Sequence, residues 1–205
     1  MTAAGAARGM NLGAAMAGGN PRDGRADDDF YPTPPDVTRA LIVAEGARIA
    51  PRGGAVWEPA CGDGAMAAVL ADAGFEVVAS DLHDRGHGET GVDFLAARAA
   101  RAAAIVTNPP FVLAEAFIRH ALALDVDYLA LLLKATYWHA AGRAALWRAW
   151  QPAAVYPLTW RPDFIDGGAP TMDCAWVVWT GLAAVETIYE PLAKPPDSRQ
   201  GGLFG

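Results

Sequence analysis

Six consecutive apolar residues, Tyr128-Leu129-Ala130-Leu131-Leu132-Leu133, constrain the fold most. The run is far too short to cross a membrane, and its continuity is that of a strand buried on both faces rather than one with a wet side. Such a strand needs cover above and below, so the chain must alternate strands with helices. Further apolar strands are expected at Ala55–Glu58, Phe75–Ser80, Ala103–Val106, Ala154–Thr159 and Ala175–Thr180. Between them, helical patterns run over Ala65–Ala73, Leu113–Leu124 and His139–Trp150. The last two strands follow one another without a helix, which predicts an antiparallel closing pair on a mainly parallel sheet.

With 205 residues, 53% hydrophobic composition and a mean hydropathy of +0.14, the chain can bury one sizeable core. Residues 1–29 are rich in Ala, Gly and small polar residues and end in Asp27-Asp28-Asp29, the composition of a disordered tail. A single domain is expected over residues 30–189, and the Pro-, Gly- and polar-rich stretch 190–205 reads as a C-terminal tail. At the start of the domain, Thr33 and Asp36 have capping-box spacing with Pro34 at the first helical position, predicting a helix to about Glu45 that Gly46 stops.

In open α/β sheets, chemistry gathers at the strand tips. The first tip is Glu58-Pro59-Ala60-Cys61-Gly62-Asp63-Gly64, whose glycines allow close backbone approach to a ligand before an electropositive helix start. The turn lacks both the dinucleotide Gly-x-Gly-x-x-Gly spacing and the Lys-Ser/Thr pair of a phosphate loop. Asp81 ends the next strand about 20 residues on, where doubly wound folds hold ribose hydroxyls; a helix cap or loop carboxylate is the plain alternative. The third tip is Thr107-Asn108-Pro109-Pro110-Phe111. Two prolines make it rigid, the Asn108 oxygen and the Pro109 carbonyl can both accept from one planar NH2 group, and Phe111 offers a face for a flat ring. This chemistry suits an amino group on a base or an amide.

The Asn-Pro-Pro-aromatic stretch, preceded by Glu-Pro-x-Cys-Gly-x-Gly and by Tyr31-Pro32-Thr33-Pro34, resembles the motif order of S-adenosylmethionine-dependent methyltransferases that modify exocyclic or amide nitrogens, among them small phage and prophage DNA adenine-N6 enzymes. The resemblance spans roughly Tyr31 to Trp179. It implies a Rossmann-like seven-stranded sheet, mainly parallel with one antiparallel strand and helices on both faces. S-adenosyl-L-methionine is the implied cofactor and S-adenosyl-L-homocysteine the product, with Tyr31, Thr33, Glu58, Ala60, Cys61, Gly62, Gly64, Asp81, Leu82, Asp93, Phe94 and Asn108 around it. Within that set Asp93 would accept from the adenine amino group and Phe94 would cover a ring face, although a capping Asp and a core Phe are almost as natural readings. Asn108, Pro109, Pro110 and Phe111 are implied as the catalytic stretch, with Phe111, Trp160 and Arg161 on the substrate side. Asp163, Phe164 and Asp173 are further candidates there, and Arg161 alternatively pairs with Asp163 or Asp166.

The implied substrate is adenine in duplex or single-stranded DNA. RNA adenine, cytosine N4, a protein glutamine amide, or a non-catalytic cofactor-binding subunit are the alternatives. The formal charge of −7 and pI near 5.0 oppose binding of nucleic acid by bulk electrostatics but leave room for a local basic patch. No separate recognition domain fits between Phe94 and Thr107, which leaves a short or loose site, a homo-oligomer, or single-stranded substrate. Cys61 and Cys174, with no signal peptide or long apolar stretch, indicate a reduced cytoplasmic chain without a membrane segment. His83, His87, His120 and His139 have no metal-ligand spacing, so no metal is expected.

Overall fold

The computed structural model describes residues 30–50, 54–165, 167, 170–181 and 186–196. The tail expected over 1–29, the end of the chain from 197 onward, and Asp166 lie outside the described residues. The elements are α1 (Pro35–Ile49), β1 (Ala55–Glu58), α2 (Ala65–Asp72), β2 (Glu76–Ala79), β3 (Ala104–Thr107), α3 (Ala114–Ala123), β4 (Tyr128–Lys134), α4 (Ala144–Ala149), β5 (Ala154–Pro157), β6 (Cys174–Thr180) and β7 (Ile188–Tyr189).

The seven strands form one sheet in the order β2-β1-β3-β4-β6-β5-β7. Neighbours from β2 to β4 are parallel, β6 runs antiparallel to both β4 and β5, and β7 is parallel to β5. The result is a Rossmann-like sheet, mainly parallel with a single antiparallel strand. The six-residue apolar run becomes β4, the strand at the centre of the sheet, and its alternate side chains split between two cores. Tyr128, Ala130 and Leu132 pack with Leu41 and Ile49 of α1 and with Met66 and Leu70 of α2. Leu129, Leu131 and Leu133 pack with Phe117 and Ile118 of α3 and Leu146 of α4. Helices thus cover both faces, as a strand that is apolar on both sides requires. Trp176 of β6 is fully buried in the first core, and its indole N–H donates to the Val37 carbonyl of α1 at 3.0 Å.

Several expectations change. The capping box at Thr33 does not form: α1 starts at Pro35, its N-cap Pro34 receives no side-chain hydrogen bond, and the Thr33 hydroxyl is taken by a residue far along the chain. Gly46 does not stop α1, which continues to Ile49; one interior glycine costs about 1 kcal/mol, and the buried Ile49 side chain outweighs it. Finally, the chain stays packed beyond Glu190. β7 extends the sheet edge, and buried Leu192 exchanges backbone bonds with Pro157 and Thr159. The helix expected over 139–150 is shorter, with 3-10 turns at Ala135–Trp138 and Ala141–Arg143 before α4.

Candidate functional site

A chain that moves outward from β1 to β2 and then crosses back to β3 leaves a crevice at the carboxyl ends of these strands, where the order reverses. A cavity of about 510 Å³ lies there, walled by the ends of β1, β2 and β3, the segment 30–33 and the loop 91–95. That volume is in the range of small-ligand and cofactor sites.

The turn after β1 depends on two glycines, of which Gly62 lines the cavity while Gly64, the N-cap of α2, does not. Gly62 and Gly64 have φ of +56° and +84°, and a Cβ on either would come within 2.4 Å of the Phe30 or His87 ring. The Gly62 N–H donates to Asp81 Oδ2 and the His83 N–H to Oδ1, each at 2.8 Å. Both oxygens of this nearly buried carboxylate are fixed by backbone, and each retains a second lone pair toward a ligand. Glu58 is buried, and its Oε2 has no protein partner among the described residues. Burial first, then the neighbouring Asp63 and Asp81, push its carboxyl well above the usual carboxylate range against the pull of the Ala67 backbone bond. Cys61 is pushed up to about 12 by burial and then by Glu58 and Asp81, so it stays a neutral thiol without nucleophilic character.

The wall from β3 is the Asn-Pro-Pro-Phe turn. The Asn108 Nδ2 donates to the Tyr31 carbonyl at 3.3 Å and to Thr33 Oγ1 at 3.1 Å. A carbonyl only accepts, so this pair of contacts determines which end of the amide is nitrogen. The other end, Oδ1, is buried without a protein partner among the described residues. Phe111 packs against Tyr31 at 5.9 Å, and the Lys134 ammonium lies 4.6 Å from its ring centroid on one face.

The remaining sequence candidates divide. Ala60 and Leu82 line the cavity, as do Tyr31, Thr33, Pro109 and Pro110. Asp93 also lines it, but its Oδ1 caps the 3-10 turn Phe94–Ala96 by accepting from Leu95 N at 2.9 Å. Phe94 reaches the wall from the core, wedged between Trp57 at 5.3 Å and Phe117 at 4.6 Å. Both plain alternatives at Asp93 and Phe94 therefore hold alongside their place at the cavity. Trp160 and Arg161 are not brought to it. Trp160 packs against the core on the α1 side, and Arg161 pairs with Asp173 at 2.8 Å rather than with Asp163, which instead accepts from the backbone of Ile165 and Gly167. From that loop Phe164 comes closer, with its edge on Tyr31 at 6.0 Å.

Sequence reasoning missed Phe30, Met66, His83, Arg85 and Phe117 in the lining. Phe30, whose ring carries the Arg85 guanidinium at 4.1 Å, adjoins the Tyr-Pro-Thr segment and was legible as a flanking aromatic. Among the described residues no cluster of His, Cys, Asp and Glu could hold a metal, and no helix is long and apolar enough to cross a membrane.

The fold defined by this sheet and crevice is that of class I S-adenosylmethionine-dependent methyltransferases. A Listeria monocytogenes protein provisionally assigned to that class superposes with a TM-score of 0.60 at 12% identity, over 82% of this chain and 68% of its own. A Pyrococcus horikoshii protein provisionally assigned as an RNA methyltransferase gives 0.59 at 14% identity, over 83% and 98%. The methyltransferase subunit of a type I restriction-modification system from Streptococcus thermophilus gives 0.60 at 12% identity, over 78% of this chain but only 47% of that subunit. The chain thus spans about half of the restriction-modification subunit. No family model matches the sequence, and no curated protein is detectably similar to it.

Proposed function

We infer that this chain transfers a methyl group from S-adenosyl-L-methionine to the exocyclic N6 amine of adenine in DNA. The observation that carries the reading is Asn108 Oδ1, a buried acceptor at the cavity wall whose amide is oriented from behind by Tyr31 and Thr33. A buried acceptor without a partner costs free energy, and an amino group supplies what it lacks.

The residues fit the cofactor. Glu58 Oε2, buried and without a partner, suits an ammonium group, which would also restore the ionised carboxylate. Asp81 has lone pairs for vicinal hydroxyls, Gly62 lines the cavity with its backbone, and Tyr31, Thr33, Ala60, Cys61, Leu82, Asp93 and Phe94 complete the enclosure. When bound, the cofactor supplies an activated methyl on a positively charged sulfur.

Adenine N6 is a weak nucleophile because its lone pair is delocalised into the ring. Asn108 Oδ1 and the Pro109 carbonyl are suited to accept its two hydrogens, which favours a pyramidal nitrogen with its lone pair free to attack. Phe111 provides the stacking surface. An incoming base would share that ring with the Lys134 ammonium or displace it. In a duplex the base must first leave the stack. The rate then comes from positioning and electrostatics, with no covalent bond to the enzyme. Adenine in RNA is the second reading, favoured by the fold likeness to the Pyrococcus horikoshii protein.

The reading is tested by incubating the protein with labelled S-adenosylmethionine and unmethylated duplex DNA, single-stranded DNA or RNA, then identifying the modified nucleoside by mass. N6-methyldeoxyadenosine is the expected product; methyl on another base, only on RNA, or on none of the three would overturn it.

Two smaller effects are expected. Thr33→Val removes one of the acceptors that orient Asn108 and should slow turnover roughly three- to tenfold, as for one net hydrogen bond. Thr33→Ser should restore it, and a rate equal to wild type in Thr33→Val would leave Thr33 no part in orienting the amide. Asp81→Ala should weaken cofactor binding by about 1–3 kcal/mol, the range for a hydrogen bond to charge. Calorimetric titration with S-adenosylhomocysteine measures this, and an unchanged affinity would take Asp81 out of the site.

A further inference from the structure

No Asp or Glu stands between Asp127 and Asp163, although the whole chain carries 23 acidic against 16 basic residues. The same stretch holds Lys134, Arg143, Arg148, Arg161 and His139. An acidic protein that keeps one long stretch free of acids, and places cations in it, can carry a local potential opposite to its net charge.

The structure joins this stretch to the cavity. Lys134, at the end of β4, lies over Phe111 at the mouth. The chain then turns through Ala135–Trp138, and Trp138 packs on Trp147 of α4 with ring centroids 4.3 Å apart, which holds α4 beside that turn. Arg143 locks the bend by donating to the Tyr137 carbonyl at 2.7 Å, with its guanidinium 3.8 Å from the Tyr137 ring centroid. His139 and Arg148 are exposed beyond it, and Trp150 is 37% exposed with the Arg119 guanidinium 5.4 Å from its ring. Acids also lie near the ridge on neighbouring elements, and Glu186 adjoins Thr187, whose hydroxyl donates to the Pro152 carbonyl at 2.7 Å. Glu115 of α3 is neutralised by Arg119, and Asp173 before β6 by Arg161, each at 2.8 Å.

We propose that the ridge that starts at Lys134, beside the mouth through which the target base enters, and runs along α4 to Trp150 toward the opposite end of β4 is the surface on which the phosphate backbone of duplex DNA docks. Cations along a stretch without acids complement phosphates, and the exposed indole of Trp150 suits a sugar. The proposal rests on the DNA reading above and supplies what that reading lacks, a positively charged contact on an acidic protein.

Binding of a fluorescent unmethylated duplex to the full chain, saturated with S-adenosylhomocysteine, is followed by anisotropy from low to moderate salt. Arg148→Glu should weaken binding about tenfold at low salt and reduce the logarithmic salt slope by about 1, the signature of one lost phosphate contact. His139→Glu should act in the same direction, while Arg39→Glu on α1, at the opposite face, should change neither quantity. Unaltered S-adenosylhomocysteine affinity establishes that each variant is folded. Equal DNA affinity and slope in wild type and Arg148→Glu would overturn the ridge, even where methyl transfer to DNA proceeds. A loss seen for an RNA duplex but not for DNA would assign the surface to RNA and overturn it equally. Loss of DNA binding in Arg148→Glu, in a wild type that methylates no adenine, would uphold the ridge and overturn the adenine reading.

Discussion

Asn108→Ala should lower methyl transfer by about 100- to 1000-fold, the usual loss when a preorganised polar group at a reacting centre is removed. The amide serves two partners, and the substitution removes both contributions. Loss of Oδ1 deprives the amino nitrogen of its acceptor. Loss of Nδ2 frees the Tyr31 carbonyl and the Thr33 hydroxyl, so cofactor affinity should fall by roughly 1 kcal/mol and no more. Asn108→Asp separates the two, since it keeps an acceptor toward the cavity and sets a carboxylate oxygen against the Tyr31 carbonyl. It should therefore bind cofactor less well than Asn108→Ala. Single-turnover rates with calorimetric affinities distinguish these outcomes; equal loss of binding and of rate in Asn108→Ala would make Asn108 a cofactor-pocket residue alone.

Trp176→Ala should cost about 3–5 kcal/mol of stability, as for other large side chains removed from a close-packed core. The indole is fully buried, and its donation to Val37 pins β6 to the first turns of α1. Urea unfolding should show a lower midpoint with an unchanged slope. Trp176→Phe keeps much of the ring volume and loses mainly the hydrogen bond, so it should lie between wild type and alanine. A cost below about 1 kcal/mol for Trp176→Ala would mean that the helix is not anchored there.

All six strands expected from apolar runs are present, because a run such as Tyr128–Leu133 is buried by composition whatever its neighbours. β7 has only two residues and no run of its own, and its pairing with β5 depends on Leu192 finding a gap in the core, which no local pattern announces. Thr33 illustrates the limit at the site. Its spacing to Asp36 satisfied a local rule, yet its hydroxyl is claimed by Asn108, 75 residues away. Likewise Arg161 had nearer acids in sequence but pairs with Asp173 across the loop. The positions of Gly62, Asp81 and Asn108 at strand tips were legible because the topology of a parallel sheet brings successive tips together. The placement of Trp160 was not, since a loop between antiparallel strands can fold toward either core.

The segment that encloses one end of the cavity is also the one that steers the Asn108 amide. Anything that steadies Tyr31 and Thr33 steadies Asn108, and the converse must hold with the same free energy. On the proposed reading, a base seated on Asn108 would tighten the grip on S-adenosylmethionine by the factor by which the cofactor tightens the grip on the base. A mismatched base that fails to engage Oδ1 would forgo that mutual gain. Discrimination would then be exercised partly through how long the cofactor stays, at residues that never touch the base.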